Sequence, residues 1–282
     1  MVGETVREAS MRAIFLALAA AALAGGANAA DLPEIKARGT LRVAVANLTP
    51  FVIKGEDGTL SGFEIDSTKK LAESLGVKVE YVERPFCELV DAIVDGEADI
   101  IASGFSNTPA RRNILDFSLP YHDTEYYAVV EKGRAKEAKS LRGLNKSDVK
   151  IGYQRGGVSS DVAHGDFSGS DLKGFDSFAQ MLTALGAGEI EGAVLFSPYD
   201  ELAKKIEGKR FVIPHDFPLM RTIEAFAMEQ GADELREALN EWVIANDLEG
   251  YWKDLEKKWF DPEKAELGAP APYACPGTVP VQ

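Results

Sequence analysis

Histidine and cysteine are scarce in this chain, with three of the first and two of the second among 282 residues. No C-x-x-C, H-E-x-x-H, G-x-S-x-G or Walker-type glycine loop occurs, so the common zinc, thiol, serine-hydrolase and nucleotide signatures are missing. These absences argue against a hydrolase or an NTPase and leave other enzyme classes open. An acid does stand at or near each histidine, in His122-Asp123, His164-Gly165-Asp166 and His215-Asp216. A zinc site there needs a convergence that spacing alone does not supply. Positive charge is also short: 31 Lys and Arg against 45 Asp and Glu leave a net charge of -14. Such a surface disfavours nucleic acid and anionic membranes as partners, while remaining compatible with a local cationic pocket. Beyond residue 30 no apolar run is long enough to span a bilayer. What remains is 45% hydrophobic and 27% charged, enough for the core of one large or two modest lobes.

Residues 1–30 read as an export signal. Met11-Arg12 gives a minimal positive start, residues 13–24 form an apolar run too short to cross a bilayer, and Ala27-Asn28-Ala29 offers a small-x-small cleavage site. Met11 competes with Met1 as the start, because Glu4 and Glu8 are unusual in a leader. No cysteine stands at the cleavage point to accept lipid. The expectation is an exported, soluble mature protein.

From residue 41 the chain alternates strand and helix. Residues 41–46 form an apolar strand, Ile65, Thr68, Leu71, Ala72 and Leu75 share one helical face, and residues 77–82 make a second strand. This is a βαβ unit with a right-handed crossover expected. Between strand and helix, Asp57-Gly58 marks a tight turn and Gly62-Phe63-Glu64-Ile65-Asp66 leads into the helix. Phe51 and Phe86 fit either a ligand pocket or plain core. Further on, residues 126–131 read as a strand, 133–150 as a polar connector and 149–153 as a strand. The last runs into Gly156-Gly157-Val158-Ser159-Ser160 and a short helix. Two glycines before a serine-capped helix can gather free N–H groups for an anion, or can simply be a turn. Phe178, Met181, Leu182 and Leu185 then share a helical face, 192–196 and 211–213 read as strands, and Pro198 starts a helix. Residues 223–228 read as one strand, and Leu235, Leu239, Trp242 and Val243 mark the buried stripe of a long helix.

The most informative stretch is residues 99–121, DIIASGFSNTPARRNILDFSLPY. A buried strand at 100–102 ends on Ser103 and Gly104, and Pro109, Ala110 and Arg111 begin a helical turn. Gly104 permits close backbone approach, Ser106 offers a hydroxyl and an amide, and Arg111 offers a planar guanidinium able to grip a carboxylate with two parallel hydrogen bonds. Taken alone, that spacing also describes a surface loop with a solvated arginine.

Motif order adds to this reading. Ala98-Asp99, Gly104 to Ser106, Thr108-Pro109-Ala110-Arg111 and Phe117-Ser118-Leu119-Pro120-Tyr121 follow one another as in the type II periplasmic solute-binding proteins of amino-acid ABC transporters, which this chain resembles. The "PF" at Pro50-Phe51, the "GF-x-ID" at residues 62–66 and the ending at residues 250–260 are similar to that family too. Ligand-binding cores of ionotropic glutamate receptors share the pattern. The resemblance runs from about residue 41 to 260. It implies an α/β fold of two lobes, each a mixed sheet flanked by helices, that closes on its ligand by hinge motion. The implied division is 31–122 and 221–267 for the first lobe, 123–220 for the second, and a tail at 268–282. Arg111 inherits the role of carboxylate anchor, with Ser106 and Gly104 as further donors and Phe51, Phe86 and Tyr121 around them. Gly157, Val158, Ser159 and Phe196 would meet the ligand from the other lobe. The resemblance further implies a periplasmic monomer that is no enzyme, uses no cofactor, and delivers a small carboxylate ligand to an inner-membrane ABC permease. A disulfide between Cys87 and Cys275 would pin the tail to the first lobe, the alternative being two thiols. Other readings are a cleft lyase of the cyclohexadienyl dehydratase type and a soluble ligand sensor for a membrane receptor.

The chain departs from that pattern at two places, one of them the turn, where Gly157-Val158 stands in place of the family's hydroxyls. Amino-acid binders of the family carry an acid at the end of a second-lobe strand to hold the ligand's ammonium, where this chain reads Glu191-Gly192-Ala193-Val194-Leu195-Phe196-Ser197-Pro198. A buried ammonium without a counter-charge is costly. The expectation is therefore a carboxylate whose α-amine is modified, displaced or absent, unless an acid such as Asp161 or Asp200 substitutes.

Overall fold

The computed structural model describes residues 30–261, apart from 138–140, 209 and 216, together with Cys275. The export signal and the rest of the tail lie outside the described residues. In chain order the strands are β1 (Thr40–Val45), β2 (Ile53–Lys54), β3 (Leu60–Ser61), β4 (Lys78–Glu83), β5 (Ile100–Ile101), β6 (Leu115–Phe117) and β7 (His122–Glu131). There follow β8 (Lys150–Gln154), β9 (Asp171–Phe175), β10 (Gly192–Phe196), β11 (Phe211–Val212), β12 (Met220–Glu224) and β13 (Ala227–Glu229).

These strands make two mixed sheets. The first has the order β4-β1-β5-β13-β6, with β1 parallel to both β4 and β5 and β13 antiparallel to its neighbours. The second has the order β11-β7-β10-β8-β9, with β12 pairing β7. Helices Phe63–Leu75 and Leu89–Val94 pack on the first sheet, and Val158–Asp166 and Phe178–Ala187 on the second. The chain leaves the first lobe through β7 and returns through β12. These two crossing strands are antiparallel, with His122 opposite Glu224.

Apolar runs dictate this architecture. Leu41, Val43, Ala44, Ile100 and Ile101 of the first sheet are fully buried, as are Ala193, Val194 and Leu195 of β10. Strands buried on both faces read as continuous apolar runs, which is why the sequence locates them. The motif aspartate is structural: Asp99 accepts from Arg38 Nη2 at 2.5 Å and from Arg42 Nη2 at 2.7 Å, so one buried carboxylate ties β5 to the strand beside it. Asp171–Phe175 escapes the sequence reading because its burial is partial and its composition polar. Residues 133–150, expected as a connector, carry helices Lys132–Glu137 and Leu141–Leu144. The single strand expected at 223–228 is two: β12 ends at Glu224 in one sheet and β13 begins at Ala227 in the other. The change of lobe falls between Glu224 and Ala227, where residues 224–228 are all buried and no turn residue marks the break.

Cys87 lies in a 3-10 turn, Phe86–Glu88, and is bonded to Cys275 across a sequence separation of 188 residues. The disulfide also touches the other lobe. Gly156, at φ +71°, lies so close that a Cβ there would sit 2.9 Å from Cys87 Cα. A cross-link closing so long a loop restricts the unfolded chain strongly, and its removal is expected to cost about 2–5 kcal/mol. Intact mass should rise by two hydrogens on reduction, and Cys275→Ala should melt about 5–15 °C below the parent. An unchanged mass would rule out the bridge.

Candidate functional site

Arg111 opens a short 3-10 turn, Arg111–Asn113, after the end of β5. Its guanidinium lies over the ring of Phe105, 3.8 Å from the centroid, with Phe86 at 5.7 Å. Nη1 donates to the Ser106 carbonyl at 2.8 Å and Nη2 to the Gly156 carbonyl at 3.1 Å. Ser106 belongs to the first lobe and Gly156 follows β8 in the second, so one side chain spans the cleft. Burial lowers its pKa to about 10, against the pull of Tyr126, Asp161 and Glu224, and it stays charged at neutral pH. A guanidinium has five N–H groups, and two are used here, both by neutral carbonyls. A carboxylate is a stronger partner than either carbonyl.

The loop carrying Arg111 is stitched to the returning strand. Ser106 bridges Glu224 in backbone pairing, and Asn107 N donates to Ile223 O at 2.9 Å. Ser106 Oγ donates to Glu224 Oε1 at 3.2 Å, as does Thr222 Oγ1 at 3.0 Å, while Glu224 Oε2 faces His122 Nδ1 at 3.1 Å. Tyr126 also bonds the Ser106 hydroxyl, and burial pushes its phenol pKa upward. Glu224 is 1% exposed. A buried acid thus stands beside the anchor, on a strand to which the sequence reading gave no site residue.

The other expected residues divide into groups. Phe86 lies with Arg111. Phe51 and Phe196 face each other from opposite lobes with centroids 6.1 Å apart, and both are buried. Near them Tyr199 bonds Thr49, a second tie across the cleft. Gly104 serves packing: at φ +57° it admits the Phe51 ring, which a Cβ would meet at 2.6 Å. Its N–H is taken by Glu64 Oε1 at 2.9 Å. Tyr121 also donates to Glu64 Oε1, at 2.7 Å, and stacks on Trp252 inside the first lobe. Gly157 and Val158 begin the helix Val158–Asp166, where Val158 is buried. Ser159 turns inward, its Oγ accepting from Gln154 N at 2.9 Å, so that hydroxyl holds the turn together. Phe105, Tyr126, Glu64 and Glu224 were not anticipated. The available signal for Glu64 and Glu224 was an acid inside an apolar stretch, Phe63-Glu64-Ile65 and Ile223-Glu224-Ala225. Among the described residues no group of three or more His, Cys, Asp or Glu is arranged to hold a metal ion.

Residues 41–262 match the pattern of the bacterial extracellular solute-binding proteins, family 3. The chain belongs to that family. It is 26% identical over 258 residues to the L-cystine-binding protein TcyJ of Escherichia coli K12, covering 90% of this chain and 95% of that one. To the L-arginine-binding protein of Pseudomonas aeruginosa it is 28% identical over 244 residues, covering 82% and 91%. The crystal structure of the ancestral amino acid-binding protein AncCDT-1, a precursor of cyclohexadienyl dehydratase, superimposes with a TM-score of 0.74 at 34% identity. That match covers 82% of this chain and 99% of the ancestral one. The family's two-lobed type II fold is the one described above. Its members named here are binding proteins, and no helix among the described residues is long and apolar enough to cross a membrane.

Glu64 gives a pH test of the buried network around Gly104 and Tyr121. It is fully buried, and desolvation raises its pKa from 4.5 to about 7, against the bonds from Gly104 and Tyr121 and the charge of His122. An acid whose folded pKa exceeds its unfolded value holds its proton better when folded, so stability falls as pH rises from 4.5 to 7. Glu64→Gln keeps the acceptor oxygen and removes the titration. The variant should gain on the parent by about 2–4 kcal/mol across that interval and no further above it. Melting curves between pH 4 and 8 check this; a constant difference at every pH would contradict it.

Proposed function

We propose that this protein captures a small α-amino acid or a close relative between its lobes and hands it to an ABC permease of the inner membrane. The lobes are residues 31–122 with 221–267, and residues 123–220. Arg111 takes the carboxylate, as a charged donor that reaches from the first lobe to the second. Exchange of its two carbonyl partners for a carboxylate keeps the guanidinium on Phe105 and makes the contact bidentate. Ser106 and the Gly157 turn supply neighbouring polar groups, and Phe86, Phe105 and Phe196 exclude water. The observation that carries this reading is the span of Arg111 across the cleft.

Glu224 revises the expectation about the amine. The family's acid is absent at Phe196, yet Glu224 brings a carboxylate to the same neighbourhood through Ser106. An ammonium near Ser106 then has its counter-charge. The relatives that bind cystine and arginine support an amino acid over a deaminated acid. AncCDT-1, a precursor of cyclohexadienyl dehydratase that is itself an amino acid-binding protein, favours binding over the lyase reading, and periplasmic delivery follows the family and the leader expected at residues 1–30.

Arg111→Ala should fold normally and lose at least about 3 kcal/mol of binding, roughly a hundredfold in affinity, because a carboxylate would be desolvated without a partner. A thermal-shift panel of amino acids, including L-arginine and L-cystine, with their deaminated analogues identifies the ligand, and calorimetry on the variant measures the loss. Affinity within a few-fold of the parent removes Arg111 from the site. If deaminated analogues shift the melting point most, the role given to Glu224 is wrong.

A further inference from the structure

We propose that the cavity beside the hinge is a second binding site, one that takes a small organic cation through a primary ammonium group. The cavity measures about 540 Å³ and is separate from the anchor: neither Arg111, Ser106, Phe105 nor Gly156 lines it. Its walls include Thr124 of β7, Asp200 of the helix Tyr199–Lys204, His215 of the loop after β11, and Glu256 and Phe260 at the end of the chain's last described helix. That volume lies within the range of small-molecule sites.

Three side-chain atoms argue for an occupant. Among the described residues, the buried side-chain polar atoms without a hydrogen-bond partner are Thr124 Oγ1, Asp200 Oδ1 and His215 Nε2. All three residues line this cavity. Thr124 and Asp200 are each only 6% exposed. Leaving a buried carboxylate oxygen unpaired is costly. The three atoms are closed to water as the side chains stand, and a turn of the Asp200 or Thr124 side chain presents its oxygen to an occupant of the space that these residues line.

Their chemistry selects the partner. His215 Nδ1 faces the Phe217 carbonyl at 2.5 Å. A carbonyl only accepts, so Nδ1 carries a proton, and in the tautomer this selects, Nε2 is an acceptor. Asp200 Oδ1 also accepts, and Thr124 Oγ1 can accept. Groups that accept ask for a donor, and an alkylammonium offers N–H groups together with a positive charge. A carboxylate or phosphate brings acceptors to acceptors. Charge agrees: five carboxylates and one lysine line the space. Lys204 is held by Glu201 at 2.6 Å, and Glu125 is committed to Arg221 and Tyr127. Asp200 also feels the Lys204 charge and Asp123 that of Arg221, and with Glu256 the carboxylates still outnumber the cations around the space. Burial raises the pKa of Asp200, which an ammonium beside it would bring back down. A metal ion fits less well, since no group of three ligating side chains converges here. Phe260 and the Tyr127 ring, stacked on His215, give an alkyl chain its walls.

Glu256 and Phe260 come from the helix Tyr251–Trp259 and its C-cap, which packs on the first lobe, and Asp200 comes from the second. An occupant would touch both lobes, so its binding couples to hinge position and to whatever the cleft holds.

Titration calorimetry of the purified protein with 1,4-diaminobutane tests the site, with tetramethylammonium and butanoate as controls. Saturable binding of one diamine per chain is expected, with at least a tenfold loss in both Asp200→Asn and Thr124→Val and none of that size in Arg111→Ala. Melting curves establish that each variant folds, and either of the first two suffices. Absence of diamine binding at millimolar concentration means that water alone occupies the cavity and overturns the proposal. Equal binding of tetramethylammonium, or binding unchanged in Asp200→Asn and Thr124→Val, also overturns it. Loss of diamine binding in Arg111→Ala would move the amine to the cleft.

Discussion

One guanidinium, laid on an aromatic ring and reaching between two lobes, sets the demands that the rest of this structure meets. A desolvated arginine is costly unless its N–H groups are answered, and here two backbone carbonyls from different lobes answer it. The short strand β5 must therefore end at a fixed place. Asp99 fixes one end of that strand through Arg42 and Arg38, and the Ser106 to Glu224 pairing fixes the loop beyond it. Gly104 lies between these anchors because only a residue without a Cβ leaves room for Phe51. The ring under Arg111, Phe105, follows directly in sequence. Anchor, platform and turn are thus one continuous segment of the first lobe, held in place from the other sheet by the Gly156 carbonyl and by Glu224 of β12.

The hinge carries an unusual share of buried acid. Glu64 and Glu224 are both fully or almost fully buried, and His122 lies between them on the crossing strand, stacked on Phe260 at 4.5 Å. Every oxygen of these two acids has a donor or a histidine nitrogen facing it. Such a network is stable only when complete, and it joins the strands on which the lobes move. The same crossing therefore supplies both mechanical continuity and the negative charge beside the anchor.

Much of this was legible in the sequence. Arg111 could be chosen through the family motif, since its spacing alone describes a solvated loop arginine equally well, and β1 and β10 because their buried positions make near-continuous apolar runs. The pairing of Cys87 with Cys275 came from resemblance, since two cysteines so far apart carry no geometric information of their own. What could not be read has a common cause: direction of a side chain in a buried segment. Residues 223–228 look alike to any periodicity, yet Glu224 and Ala227 belong to different sheets. Ser159 has the right chemistry for a ligand and spends it on Gln154. Phe105 differs from other core phenylalanines only in what lies on its face.

The measurement that tests the central claim most directly is a crystal structure of the protein with the ligand that stabilises it most. The account predicts a ligand carboxylate within hydrogen-bonding distance of the Arg111 guanidinium, with the ring of Phe105 still beneath it. A ligand seated elsewhere, with Arg111 still donating to the carbonyls of Ser106 and Gly156, would contradict it.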